Sequence, residues 1–251
     1  MKSLKVVLAS FVIASLAMVQ GSTAVAAGSY NLFGTAAPVH PGNASDTAIQ
    51  LSSVGFLTSG GINFDETSVT PPVTTLSTLQ VLSTDYKFTV GSCGGGSPRF
   101  QINVSTSTGT KNIFVYIGPP PNYMGCPQNV WANTGDLLTP TSLVDTSQLG
   151  GTFYDTWANA LLNYGTFTVT GIQLVADGGW AVTGGTQTVQ VDNVMINTTL
   201  FTFEAEVVEP GDKEKCKKGG WRDFDSSPGP FKNQGDCVSY FATGGKNKAS
   251  R

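Results

Sequence analysis

The stretch TQTVQVDNVMIN, Thr186 to Asn197, decides how the rest of the chain is read. Val189 and Val191 share one parity, while Val194 and Ile196 share the other. Successive side chains of a strand point to opposite faces, so a strict strand cannot bury all four on one side. One extra residue near Asp192-Asn193, a β-bulge, restores them to a single face. The alternative is a strand whose end is buried on both faces.

Other segments repeat the alternation. FQINVS sets Phe100, Ile102 and Val104 against Gln101, Asn103 and Ser105, as a strand with one buried face requires. IFVYIG, from Ile113, is apolar on both faces and reads as a central strand between covering layers. FTVTGIQLVAD continues the pattern, and further strands are expected at Ala48–Ser53, Gly61–Phe64 and Tyr86–Val90. Gly94-Gly95-Gly96-Ser97-Pro98, Pro119-Pro120-Pro121, Gly178-Gly179 and Gly184-Gly185 punctuate them. One segment has helical period instead: Phe153, Trp157, Ala160, Leu161 and Tyr164 share a face, with Thr152 placed to start the helix and Gly165 to end it. The fold class expected is all-β, an antiparallel β-sandwich with one short helix.

The ends of the chain differ from this body. Lys2 and Lys5 precede an apolar run, Val6 to Val19, and small residues lead to Ala27. That run is 14 residues long, and a membrane span needs about 20. The segment 1–27 reads as a cleaved secretory signal peptide, which places the protein outside the cell, in the periplasm or at the cell surface. Four cysteines in an exported chain suggest two disulfides. Of three connectivities, the sequence neighbours Cys93–Cys126 and Cys216–Cys237 are expected. Zinc is disfavoured, because no Cys-x-x-Cys spacing occurs and His40 is the single histidine.

The domain expectation is a β-sandwich over 28–203, a linker over 204–215 and a disulfide-closed module over 216–251. The module, with CKKGGWRDFDSSPGPFKNQGDC between its cysteines, is too small for a proper core. A Cys216–Cys237 staple over Trp221, Phe224, Phe231, Tyr240 and Phe241 replaces one. Charge divides at the same place. Gly28 to Phe203 holds three cations, Lys87, Arg99 and Lys111, against nine carboxylates; from Asp212 onward nine cations face five carboxylates. An acidic body argues against nucleic acid as its partner, and the basic tail suits an acidic envelope polymer or simply caps the sandwich.

The run VTGIQLVADGGW followed by GTQTVQVDNVMIN resembles the closing strands of jelly-roll carbohydrate-binding modules and related galactose-binding-like domains. GNASDTAIQLSS is similar to the early strand that such modules pair with the last one, and the likeness covers Tyr30 to Asn197. The tail, Cys-Lys-x-Gly-Gly-Trp and then Phe-Lys-Asn-Gln-Gly-Asp-Cys-Val-Ser, resembles a terminal motif of uncharacterised secreted bacterial proteins. The module resemblance implies sugar held by aromatic faces and amide side chains. Tyr116, Tyr123, Trp131, Tyr154, Trp157 and Trp180 are the rings to consider in the body, and Trp221 in the tail. Trp157, on the inner face of the expected helix, reads as core; Tyr123, Trp131, Trp180 and Trp221 are the candidate ligand contacts.

Catalytic residues are harder to find. His40 sits in APVHPGN with no Gly-x-Ser-x-Gly elbow, and His-Glu-x-x-His is absent. Asp136, Asp145, Asp155 and Asp177 leave a paired-carboxylate glycosidase as a third reading. Asp65, Glu66 and Asp192 would serve a structural calcium ion if early and late strands pair; Asp223 and Asp225 lack the rest of an EF-hand series. The expectation is a non-catalytic secreted binding protein for glycan or cell envelope, without cofactor. The alternative is a structural or protein-interaction component of the envelope.

Overall fold

The computed structural model describes residues 28–56, 58–178, 185–204, 210–222, 224 and 230–243. The segment 1–27, expected to be a leader, and Trp180 lie outside the described residues. In chain order the strands are β1 (Tyr30–Gly34), β2 (Ala37–Val39), β3 (Ala48–Val54), β4 (Gly60–Phe64), β5 (Leu82–Val90), β6 (Arg99–Thr106), β7 (Gly109–Tyr116), β8 (Ala132–Asn133), β9 (Leu143–Val144), β10 (Asp155–Thr156), β11 (Val169–Ala176), β12 (Thr186–Ile196) and β13 (Thr199–Phe201). Two helices, α1 (Trp157–Tyr164) and α2 (Gln234–Ala242), complete the longer elements.

The strands form two main antiparallel sheets. Sheet one has the order β1-β4-β11-β6-β7; sheet two has β2-β3-β12-β5-β8, with β13 also on β12. Alternating side chains of both sheets meet in one core. Ile62, Phe100, Ile102, Ile113, Ile172 and Leu174 come from sheet one, and Ile49, Leu51, Phe88, Val189 and Val191 from sheet two. Each such side chain contributes roughly 1.5–3 kcal/mol by leaving water, so the alternation read from sequence is what holds the layers together.

The bulge in β12 is present. The pairing with β5 slips between Asp192 and Met195, and Asn193 takes φ +47°. Val189, Val191, Val194 and Ile196 are all buried as a result. The short edge strand β2 carries Pro38 and pairs only with β3, a place where a residue without an N–H is tolerated.

Two local expectations are corrected. Ile113 to Tyr116 lies in an edge strand, not a central one. Its free edge is closed by the segment after β9: Phe114 N–H donates to Asp145 O and Asp145 N–H donates back, and Asn112 N–H donates to Gln148 Oε1. The second apolar face is covered by a cation, as described below. The helix begins at Trp157, not near Phe153. Asp155 and Thr156 are committed to pairing with β9, and Thr152 is tied to Thr146 in a turn. Thr156 therefore becomes the N-cap, accepting from Asn159 N–H at 3.2 Å. Trp157 is 3% exposed and packs in the core, whereas Phe153, left outside the helix, is 63% exposed.

Both expected disulfides form, with Cα–Cα separations of 5.4 Å for Cys93–Cys126 and 5.8 Å for Cys216–Cys237. The second lies at the centre of a separate cluster in which Cys216, Cys237, Phe231 and Phe241 are buried and Trp221, Phe224 and Tyr240 pack against them. Sequence reading missed α2 in this cluster. Asn233 caps it by accepting from Asp236 N–H at 2.9 Å. Closing a loop of 21 residues contributes about 3 kcal/mol, which offsets the small core. Among the described residues no helix is long and apolar enough to cross a membrane.

Candidate functional site

Outward-facing residues of sheet one come from strands far apart in sequence. Register aligns Asn31 with Asn63, Asn63 with Gln173, Gln173 with Gln101, and Gln101 with Phe114. The amides bond in series across four strands. Asn63 Nδ2 donates to Asn31 Oδ1 at 2.9 Å, Gln173 Nε2 to Asn63 Oδ1 at 2.5 Å, and Gln101 Nε2 to Gln173 Oε1 at 2.8 Å. Gln101 also donates to Asn103 Oδ1 at 3.3 Å. Asn63 and Gln173 each spend one N–H and one oxygen lone pair on this ladder, keeping another of each. At a strand spacing of about 4.8 Å the row from β1 to β7 is about 19 Å long.

The neighbouring row ends in aromatic and cationic groups. Arg99 stands opposite Tyr116, and its guanidinium lies 4.5 Å from the Phe114 ring centre. Arg99 Nη2 meets Asp177 Oδ2 at 2.6 Å, and Nη1 donates to Gly96 O at 2.9 Å. The charge at this end is thereby balanced, and the guanidinium is a flat cover over Phe114. At the other end Gly61 leaves room for Phe33: a Cβ there would stand 2.4 Å from its Cζ.

Beyond Tyr116 the surface drops into an open depression of about 310 Å³, lined by Tyr116, Tyr123, Tyr154, Phe153 and the backbone of Gly95-Gly96 among others. Tyr123 and Tyr154 stack with planes 6° apart and centres 6.4 Å apart, and Tyr116 meets Tyr123 edge-on at 5.6 Å. Tyr123 is 8% exposed, whereas its stacking partner Tyr154 is 55% exposed. Tyr116 donates to buried Asp145 at 2.5 Å, and Tyr123 donates to Leu143 O at 3.1 Å. Burial, then the Asp145 acceptor, holds the Tyr116 hydroxyl well above the ordinary phenol range; burial also raises Tyr123. Both remain protonated donors and fix the walls of the depression. The loop bearing Tyr123 is tethered by Cys126 to Cys93. Gly118 at φ +136° passes so close that a Cβ would lie 2.8 Å from Cys93 Sγ.

The candidate rings therefore separate. Tyr123 joins the depression as its buried wall, and Tyr116 and Tyr154 join with it. Trp131 belongs to the other sheet, where Lys87 Nζ lies 4.8 Å from its ring centre. Trp221 packs on the tail cluster beneath the Arg222 guanidinium, 4.9 Å away. Sequence alternation puts Gln101 and Asn103 on a polar face but does not join them to Asn63, Gln173 and Asn31. The signal was an amide flanked by apolar residues in each of several strands.

The carboxylates considered for catalysis are all engaged. Asp136 accepts from Leu82 and Leu138 N–H; Asp145 accepts from Tyr116 and Ser147; Asp155 accepts from Thr146 and Asn159; Asp177 holds Arg99. His40 Nδ1 lies 2.7 Å from Asp46 O in an exposed loop. Among the residues weighed for calcium, Asp192 is surrounded by donors. Its oxygens accept from Asn43 N–H, Ser45 Oγ and Asn193 N–H, and neighbouring Asp85 accepts from Asn43, Asn133 and Asn193 side chains. These N–H and O–H groups are hydrogen-bond partners of the Asp85–Asp192 pair. Among the described residues no group of three or more His, Cys, Asp or Glu is placed to hold a metal.

No protein-family model and no curated protein sequence matches this chain. Among solved structures, it is similar to the family 11 carbohydrate-binding module of the cellulosomal cellulase Lic26A-Cel5E of Clostridium thermocellum, with 11% identity and TM-score 0.38 over 66% of this chain and 86% of that one. It is also similar to SGBP-B from a xyloglucan utilization locus of Bacteroides uniformis, with 12% identity and TM-score 0.34 over 67% of this chain and 46% of that one. A third likeness is to the xyloglucanase domain of NopAA from Sinorhizobium fredii, with 12% identity and TM-score 0.23 over 67% and 97%. None of them adds a residue to the site described above.

Proposed function

We propose that this chain is a secreted, non-catalytic glycan-binding protein that holds a neutral polysaccharide segment across the outward face of sheet one. The observation that carries the reading is the hydrogen-bonded row Asn31–Asn63–Gln173–Gln101, which leads to Phe114, Arg99 and the tyrosine-lined depression. Sugar hydroxyls both donate and accept, and amides with a spare N–H and a spare lone pair complement them in the same way. Exposed Tyr154 offers a face on which the C–H side of a pyranose can stack. With Arg99 balanced by Asp177, the face favours an uncharged ligand. The non-catalytic reading is supported by the engagement of Asp136, Asp145, Asp155 and Asp177 in bonds within the fold.

The test is calorimetric titration of the chain lacking residues 1–27 with neutral hexasaccharides: cellohexaose, xylohexaose, mannohexaose and maltohexaose. At least one is expected to bind without being cleaved, and Gln101→Ala and Tyr154→Ala are each expected to weaken it. Binding to none, or turnover of any, would refute the reading.

A further inference from the structure

The outward face of sheet two carries a second row. Gln50 stands opposite both Ala37 and Gln190, and Gln190 stands opposite Lys87. Ala132 pairs with Tyr86, so Trp131, one residue earlier, falls beside Lys87, and the ammonium lies 4.8 Å from the indole centre. The plan matches sheet one, with amides running across strands to a ring beneath a cation. The charge balance does not match. Arg99 is bound to Asp177, whereas among the described residues Lys87 has no carboxylate within ion-pair distance. In the adjacent row Asp85 and Asp192 are turned to the Asn43, Ser45, Asn133 and Asn193 donors. An unneutralised cation on an acidic body attracts anions to one spot.

We propose that this face is a second binding site, which takes a carboxylate-bearing sugar of an acidic glycan. The carboxylate draws the Lys87 ammonium off the indole and forms a charge-assisted hydrogen bond with it. The C–H face of the same sugar ring then packs on uncovered Trp131. Gln190 Oε1 is buried and has no hydrogen-bond donor. A sugar hydroxyl entering as Lys87 moves aside supplies one. Gln50, on the next strand, meets the following residue of the glycan. The ring and the amide row favour a uronate over an acidic peptide, which would use the cation alone. This site is independent of the one on sheet one and would let a single molecule bridge a neutral and an acidic polysaccharide.

The experiment titrates the chain lacking residues 1–27 with tetragalacturonate, following tryptophan fluorescence and heat at low and high salt. Maltotetraose and octaglutamate are the controls. Tetragalacturonate is expected to bind and to weaken with salt, with neither control matching it. Lys87→Met keeps the side-chain stem and is expected to weaken binding at least tenfold; Trp131→Ala is expected to do the same and to abolish the fluorescence change. Tyr154→Ala on sheet one should leave it intact. Circular dichroism melts check that each variant folds, and Lys87→Met alone suffices if Trp131→Ala does not. Absence of binding, equal binding of octaglutamate, or full binding by Lys87→Met through the basic tail would each overturn the proposal.

Discussion

The two outward faces of the sandwich share a plan, and the ion pair that one of them carries has no counterpart among the described residues of the other. Each carries amides across its strands to an aromatic ring under a cation. On sheet one the cation is matched by Asp177; on sheet two, among the described residues, it is not. The strand pattern that makes a sandwich thus sets up two candidate surfaces, and one charge decides what each would hold. The amides of sheet one are hydrogen-bonded in series, whereas the Gln190 oxygen on sheet two stands without a donor; Arg99 Nε on sheet one is likewise without an acceptor.

The comparison can be broken most severely from beneath. Phe100 is fully buried between the layers. Phe100→Ala is expected to cost about 3–5 kcal/mol of stability in denaturant unfolding and to weaken ligands of both faces together. Loss at one face only would mean that the faces do not share a foundation. Gln173→Leu separates them. It leaves Asn63 Oδ1 without its donor and Gln101 Nε2 without one acceptor, which should cost about 1–2 kcal/mol. Neutral-glycan binding should fall while uronate binding stays unchanged. Tyr154→Ala should reduce neutral hexasaccharide affinity about tenfold, about 1.4 kcal/mol, with the melting temperature nearly constant because the ring is largely exposed.

Asp177→Asn is the sharpest of the smaller changes, because it releases the Arg99 charge and makes sheet one resemble sheet two. A few-fold, salt-sensitive gain of tetragalacturonate binding that survives Lys87→Met is expected from titration. The smallest effect concerns pH. Burial raises the Asp192 carboxyl above the ordinary carboxylate range, against the bonds from Ser45, Asn43 and Asn193 and with a small push from Asp85. A raised folded value means that this group supports folding fully below its unfolded pKa and loses that support as pH rises through the folded one. Asp65, lowered by bonds from Thr67 and Ser29, acts in the opposite sense and loses its contribution as pH falls. Melting temperatures between about pH 3 and 7 should therefore decline less with rising pH in Asp192→Asn than in the unmodified chain.

Much of the sandwich was legible because period-two alternation is local. Phe100, Ile102 and Val104, the bulge at Asp192-Asn193 and the placement of Trp157 in the core all follow from neighbours in sequence. What was not legible depends on partners. Ile113 to Tyr116 looks central because both faces are apolar, yet its second face is covered by Arg99 and its edge by Asp145. Thr152 reads as the helix start until pairing with β9 commits Asp155 and Thr156, which leaves Thr156 as the cap. Tyr123 reads as a candidate ring on a tethered loop, and its contacts with Tyr116 and Tyr154 and its bond to Leu143 O make it a wall. The ladder was the largest omission. Its hydrogen-bonded neighbours are separated by up to 110 residues, as for Asn63 and Gln173, so they align only once the strand order exists.

The central claim is that amide side chains of sheet one contact sugar. It is tested most directly by the side-chain NH₂ resonances of Asn63, Gln173, Gln101 and Asn103, followed by NMR during titration with the neutral hexasaccharide that binds best. The account predicts saturable shifts at these four amides, with those of Gln50 and Gln190 on the opposite sheet unmoved. Saturable binding that leaves the four ladder amides unshifted would contradict it.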